Sequence, residues 1–275
     1  MSDRSMQEDD SLADFAQRDI GVDGAVKRVH VTGGGPAVIV MAEMPGISPH
    51  LARFARWVRD AGFTVYMPSL FGRDGAVGQA DEGAELFKRL CVSAEFRVLQ
   101  AGESSPVTDW LRGLARIAHE ECGGPGVGAV GMCLTGNFAL SMMLEPAVRA
   151  PVLSQPSLPW EQPDDLEISD GEAKAVAERL EREDLTVLAY RFEGDRICTR
   201  QRFNAYTRAL GDRFLPRTLP DSAAATDGVP PFFVEHVPFP HSVLTVHLVD
   251  REGSPTAAAR DEVIGFFRQR LSEAR

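Results

Sequence analysis

The sequence has no surplus of basic charge. Its 275 residues carry a formal net charge of -11, which argues against the clustered lysines and arginines that a phosphate backbone demands, so no nucleic-acid partner is expected. The opening MSDRSMQEDDSLADF has no basic stretch followed by an apolar one and is not expected to act as a secretory leader. Nor does any window reach the roughly 18 apolar residues of a membrane span. These absences lead to the expectation of a cytoplasmic protein without a membrane partner. Cysteine is scarce, and Cys91, Cys122, Cys133 and Cys198 have no CxxC spacing, so neither a metal scaffold nor a disulfide framework is indicated and free thiols are expected. What is present, 44% hydrophobic and 25% charged residues, is the make-up of a globular chain long enough to enclose a large core.

Helical and strand-like apolar patterns alternate along the chain. Residues 1–23 read as a loose N-terminal arm. VKRVHV (26–31) and AVIVMAEM (37–44) read as strands on either side of the turn GGGP, the second with the unbroken apolar character of a strand covered on both faces. Ser48 is placed to cap a helix over PHLARFARWVRDAGF, where Leu51, Phe54, Ala55, Val58 and Ala61 form one stripe and Gly62 supplies the stop. Strands follow at 64–69, 126–131, 151–157, 184–192 and 231–237, and helices at 81–100, 106–122, from about 134, 169–183, 199–210 and 257–271. This alternation predicts a single α/β domain over 24–275, a mostly parallel sheet with helices on both faces. Two irregular stretches, near 158–168 and 212–230, read as surface loops or a partial lid inserted into that domain.

The stretch GMCLTGNFALSMML (131–144) sets Cys133 between glycines, after an apolar strand and before a helical run. Small flanking residues let the chain turn sharply and lift the central side chain above the carboxyl edge of a sheet. Gly131 stands two before Cys133 and Gly136 three after, one residue later than in G-x-S-x-G, with Thr135 in the intervening place. The amide of Leu134 would open the next helix and face a developing oxyanion, and the same helix end favours an anionic sulfur. A glycine-flanked cysteine at a strand end also suits plain packing, so this pattern alone leaves both readings open.

Partners later in the chain favour the nucleophile. A cysteine nucleophile needs a base, and the base needs an orienting group. Asp195 follows the strand DLTVLAYRF and His241 follows PFFVEHVPFP, in the order nucleophile, acid, histidine and at separations of 62 and 46 residues. Taken alone, Asp195 also suits a helix cap. Among the other histidines, His30 and His236 lie within strand patterns, and His50 and His119 precede the nucleophile. His247, in VHLV, falls after the loop and is the rival to His241, which is favoured.

Taken in order, VIVMAEMPGISPH (38–50), YMPSLFGR (66–73), GAVGMCLTG (128–136), FEGDR (192–196) and PFPHS (238–242) make the chain resemble the dienelactone hydrolases over about residues 24 to 272. These are cysteine-using members of the α/β-hydrolase superfamily. The resemblance implies an α/β-hydrolase fold and a triad of Cys133, Asp195 and His241. It also implies that Glu43 lies against the nucleophile and helps control its ionisation, that the amides of Met44 and Leu134 form the oxyanion hole, and that Arg73 binds a substrate carboxylate. From their surroundings alone, Glu43 reads as a loop-end charge and Arg73 as a solvated loop arginine. The family type has a second arginine four positions after its histidine, where this chain has Thr245. The expected activity is hydrolysis of a small-molecule ester or lactone through an acyl-cysteine, chemistry that needs no metal or organic cofactor. Two alternatives keep the same residues: acyl transfer or lactone rearrangement on Cys133, and a relative that binds ligand without turnover.

Overall fold

The computed structural model describes residues 5–82, 105–159, 162 and 164–272. Eight strands, β1 (Ala16–Val22), β2 (Ala25–Gly33), β3 (Ala37–Val40), β4 (Thr64–Pro68), β5 (Val127–Met132), β6 (Val148–Ser154), β7 (Val187–Phe192) and β8 (Phe214–Leu219), form one sheet. Its order is β1-β2-β4-β3-β5-β6-β7-β8, parallel from β4 to β8, with β1 and β2 antiparallel at one end. The helices are α1 (Pro49–Asp60), α2 (Pro106–Cys122), α3 (Phe138–Ser141), α4 (Asp170–Arg182), α5 (Arg200–Leu210), α6 (Pro231–His236) and α7 (Pro255–Leu271). No helix among the described residues is long and apolar enough to cross a membrane.

Two cores flank the sheet, and the all-apolar central strands feed both, because successive strand side chains point to opposite faces. Ala37 and Ile39 of β3 join Trp110, Leu111 and Leu114 of α2 on one side. Val38 and Val40 meet Phe54 and Val58 of α1 and Val263 and Phe267 of α7 on the other. The expected cap holds: Ser48 Oγ accepts from Leu51 N at 3.2 Å and so satisfies one of the orphan donors of α1. A serine does the same for α7, where Ser254 Oγ accepts from Ala257 N at 3.2 Å.

Four elements differ from the sequence reading. The expected loose arm over 1–23 instead contributes β1, because Asp23 and Gly24, at φ 49° and 85°, make the two-residue left-handed turn that closes a hairpin. Residues 212–230, read as an insertion, contain β8, which runs parallel to β7 from Val187↔Phe214 to Phe192↔Leu219. Phe214 there packs on the rings of Phe203 and Tyr206, and Pro216 sits within the strand. The last expected strand, at 231–237, is the short helix α6, begun by Pro231 at its first position, with Phe232 and Phe233 packed against Val237 and Val246. The helix expected from 134 is broken into a 3-10 turn (Cys133–Gly136), α3 and a second 3-10 turn (Met142–Leu144). The helix expected at 81–100 lies, apart from its first residues, outside the described residues.

The N-terminal segment is fastened to α1. Arg56, 4% exposed, pairs with Asp10 at 2.6 Å and with Asp14 at 2.7 Å.

Candidate active site

At the carboxyl end of β5, Cys133 has φ 55°, in the left-handed region that a non-glycine residue enters only under steric strain. Its neighbours force the turn. A Cβ on Gly131 would stand 1.8 Å from the carbonyl oxygen of Thr135, and one on Gly136 would stand 2.9 Å from that of Ser154. The tight approach therefore falls on Gly136 and frees position 135 for a side chain. Thr135 Oγ1 accepts from Met132 N at 2.9 Å and donates to the carbonyl of Ala42 at 3.0 Å, tying the elbow to the chain just before Glu43.

Three residues past β7, Asp195 is held by two amides: its Oδ1 accepts from Ile197 N and Cys198 N, both at 2.9 Å. Its Oδ2 meets His241 Nδ1 at 2.7 Å, with both side chains buried. His241 lies not at a strand end but in the loop after α6, since β8 has taken the sheet edge. Burial opposes a charged imidazole, yet the Asp195 carboxylate and the Cys133 sulfur outweigh it and push His241 well above its ordinary value. The remaining ring nitrogen, Nε2, is buried without a hydrogen-bond partner. The structure thus brings Cys133, Asp195 and His241 together. His247 occupies a different place, with its Nδ1 accepting from the backbone N–H of His241 at 3.3 Å and of Ser242 at 3.0 Å.

Glu43 is buried. Ser242 Oγ donates to its Oε2 at 2.6 Å, Gln155 Nε2 donates to the same oxygen at 3.1 Å, and Thr245 Oγ1 donates to Oε1. Burial raises its pKa against these three donors and against the charge of His241. Thr245, where the family type has an arginine, thus contributes a neutral donor. Gln155 and Ser242 were not singled out in the sequence, although Ser and Gln breaking the apolar run of PVLSQPS are a polar signal at a strand end.

Met44 and Leu134 directly follow Glu43 and Cys133 in the chain. A first-turn amide such as that of Leu134 has no acceptor within its own helix and is available to an outside oxygen. Arg73 is exposed, and its Nε pairs with Glu82 Oε1 at 2.7 Å rather than with a residue of this set.

A buried polar cluster follows the elbow. Asn137 Oδ1 accepts from Ser157 N and Leu158 N, each at 2.9 Å, and Ser157 N also reaches the Cys133 carbonyl at 3.1 Å. Asn137 Nδ2 and the Tyr206 hydroxyl both donate to Glu167 Oε2 at 3.0 Å.

The chain is similar to known proteins in sequence and in fold. The profile of the Dienelactone hydrolase family matches residues 24–177. The chain is 28% identical over 122 residues to a carboxymethylenebutenolidase of Pseudomonas sp. (strain P51), an alignment covering 44% of this chain and 50% of that enzyme. It thus spans about half the length of this curated relative. The crystal structure of dienelactone hydrolase from Anabaena variabilis superposes with a TM-score of 0.58 at 15% identity, over 94% of this chain and 98% of that one. A dienelactone hydrolase-like promiscuous phosphotriesterase, P91, from metagenomic libraries gives 0.61 at 17% identity, over 94% and 100%. At these identities the structural likeness is one of fold, the α/β-hydrolase fold.

Proposed function

The chain belongs to the dienelactone hydrolase family, whose profile covers more than half of it, and from that premise we propose that it hydrolyses carboxylic esters or lactones through Cys133, His241 and Asp195. The observation that carries the proposal is the 2.7 Å bond from His241 to Asp195, with Nε2 left unpaired and the Cys133 sulfur acting on the same ring.

In this reading His241 Nε2 takes the thiol proton as the sulfur bonds to the substrate carbonyl carbon and the carbonyl oxygen becomes anionic. The amides of Met44 and Leu134 receive that oxygen. His241 then passes its proton to the leaving oxygen as the carbon–oxygen bond breaks, leaving an acyl-cysteine. Water repeats the sequence: it gives a proton to His241 and adds to the thioester, and the carbon–sulfur bond breaks with the proton returned to sulfur. Asp195 holds the ring and stabilises its charged form throughout. Glu43, one residue before the Met44 amide, governs the charge beside the reacting groups. Arg73 serves a substrate carboxylate only by exchanging its partner Glu82.

The test is Cys133→Ala assayed on aryl esters, lactones and, because one structural relative is named a phosphotriesterase, a phosphotriester. Turnover is expected to fall by about a thousandfold or more. Activity that survives the substitution overturns the mechanism. With an alcohol or amine added, the free acid is the expected product; an ester or amide would point to acyl transfer instead.

A further inference from the structure

His247 belongs to no step of that mechanism, yet its ring touches the loop that carries His241. We propose that His247 is a positioning residue, which accepts the backbone N–H groups of His241 and Ser242 on one ring nitrogen and so fixes the direction of His241 Nε2. This rests on the reading of His241 as the base.

A ring nitrogen that accepts two N–H groups bears no proton, so the proton of a neutral His247 sits on Nε2. The residue is anchored on its backbone as well: its N–H donates to the Ser242 carbonyl at 3.0 Å, and its carbonyl accepts from Ala225 N at 2.9 Å. Phe192, at the end of β7, and Phe233, on α6, each meet the ring edge-on at 6.2 Å between centroids. One imidazole thereby joins the strand that leads to Asp195, the helix that precedes His241 and the His241 loop itself. Through Ser242 the same anchor also sets the hydroxyl that holds Glu43.

The role requires a neutral ring, because an imidazolium has no acceptor. The charged or titratable groups facing His247 are His241 and Asp195 at the site and His50 on α1, with Arg53 beside His50. Burial, joined by the charge of His241 and opposed by Asp195, pulls His247 to about 4. It therefore stays neutral at the pH values where the proposed reaction runs.

The test compares two substitutions. In His247→Asn the side-chain oxygen falls near the position of Nδ1, and in His247→Gln it falls near that of Nε2. The Asn variant is expected to keep most of the wild-type kcat. The Gln variant is expected to lose about tenfold or more in kcat with KM unchanged, as two amides lose their acceptor. The low-field Nδ1 proton of the His241–Asp195 bond, read by NMR, should persist in the Asn variant and shift or vanish in the Gln variant. Equal behaviour of the two overturns the proposal. His241→Asn is the control: if it leaves turnover intact, the catalytic reading fails, whereas if it abolishes turnover and the Gln variant matches wild type, only the positioning role fails. Should the Gln variant not fold, nitrogen-15 shifts of the wild-type ring decide. A neutral ring protonated on Nε2 at pH 6 supports the role, and a ring protonated on Nδ1 overturns it.

Discussion

Glu167 is buried, its Oε2 bonded by Asn137 and Tyr206 and its Oε1 without a partner, and burial lifts its pKa to about 7. An unfolded glutamate titrates near 4.3, so between roughly pH 4 and 7 the native state binds more protons than the unfolded chain. Stability from this residue is full below that window and is lost as pH rises through it. The loss is on the order of 3 kcal/mol. Glu167→Gln keeps an acceptor and removes the titration, so thermal melts of the variant should be flatter than wild type between pH 5 and 8; parallel curves would contradict a protonated carboxyl. His241 has the same sign at higher pH: raised by Asp195 and Cys133, its contribution is full below about 6.5 and is lost as pH rises through the folded value. Such effects are hard to read in a sequence. Glu167 stands in a stretch with the composition of a surface loop, and only folding brings Asn137 and Tyr206 around it.

Among elements, the elbow after β5 depends most on one side chain. Thr135 joins it to the chain segment that carries Glu43 and Met44, so Thr135→Val would leave the Met132 amide and the Ala42 carbonyl unpaired in the interior. An unpaired buried group costs about 1–3 kcal/mol, and the predicted outcome is a stability loss of that order measured by urea unfolding. The turnover of this variant should also drop, because Met44, whose amide is proposed to receive the oxyanion, loses its tether, while Thr135→Ser, which keeps the oxygen, recovers most of both. Gly131→Ala should be worse than either, since its Cβ has no room against the Thr135 carbonyl. The sequence displayed this element well: glycine, cysteine and glycine after an apolar strand are a local pattern. It displayed the elements around His241 poorly. FLPRTL is a strand only because β7 offers an edge, and PFFVEHV is a helix although its residues suit a strand, because Pro231 starts a turn and two phenylalanines find a core. Both outcomes depend on tertiary neighbours rather than on periodicity. His241 could still be singled out, because the chain order of Cys133, Asp195 and His241 does not depend on the element that precedes the histidine, and the structure sets its Nδ1 2.7 Å from Asp195.

On the scale of the whole molecule, the segment that carries Asp10 and Asp14 is held to α1 by charge. Arg56→Met removes one charged partner from Asp10 and one from Asp14, which keeps Arg59, so stability should fall, measurable as a lower denaturation midpoint. Asp14 is held far below the usual carboxylate range, chiefly by its bond to Arg56. Its contribution is therefore present above its unfolded value near 4 and is lost as pH falls below it. Wild type should destabilise steeply on acidification, and the Met variant less so. The alternation of strands and helices made the layered fold legible from the outset, whereas the N-terminal hairpin was hidden because an acidic, polar opening reads as solvated chain until Asp23 and Gly24 turn it back.

β8 ends the sheet, and a bare strand edge is a template on which the next molecule's chain can pair. Pro216 has no N–H to offer an incoming strand, and Arg217 is drawn back onto Glu262 at 2.8 Å. The same six residues that complete the sheet thus offer an incoming strand one backbone donor fewer at its edge. Pro216→Thr should leave turnover alone and show its cost only in storage, as rising light scatter in concentrated solution.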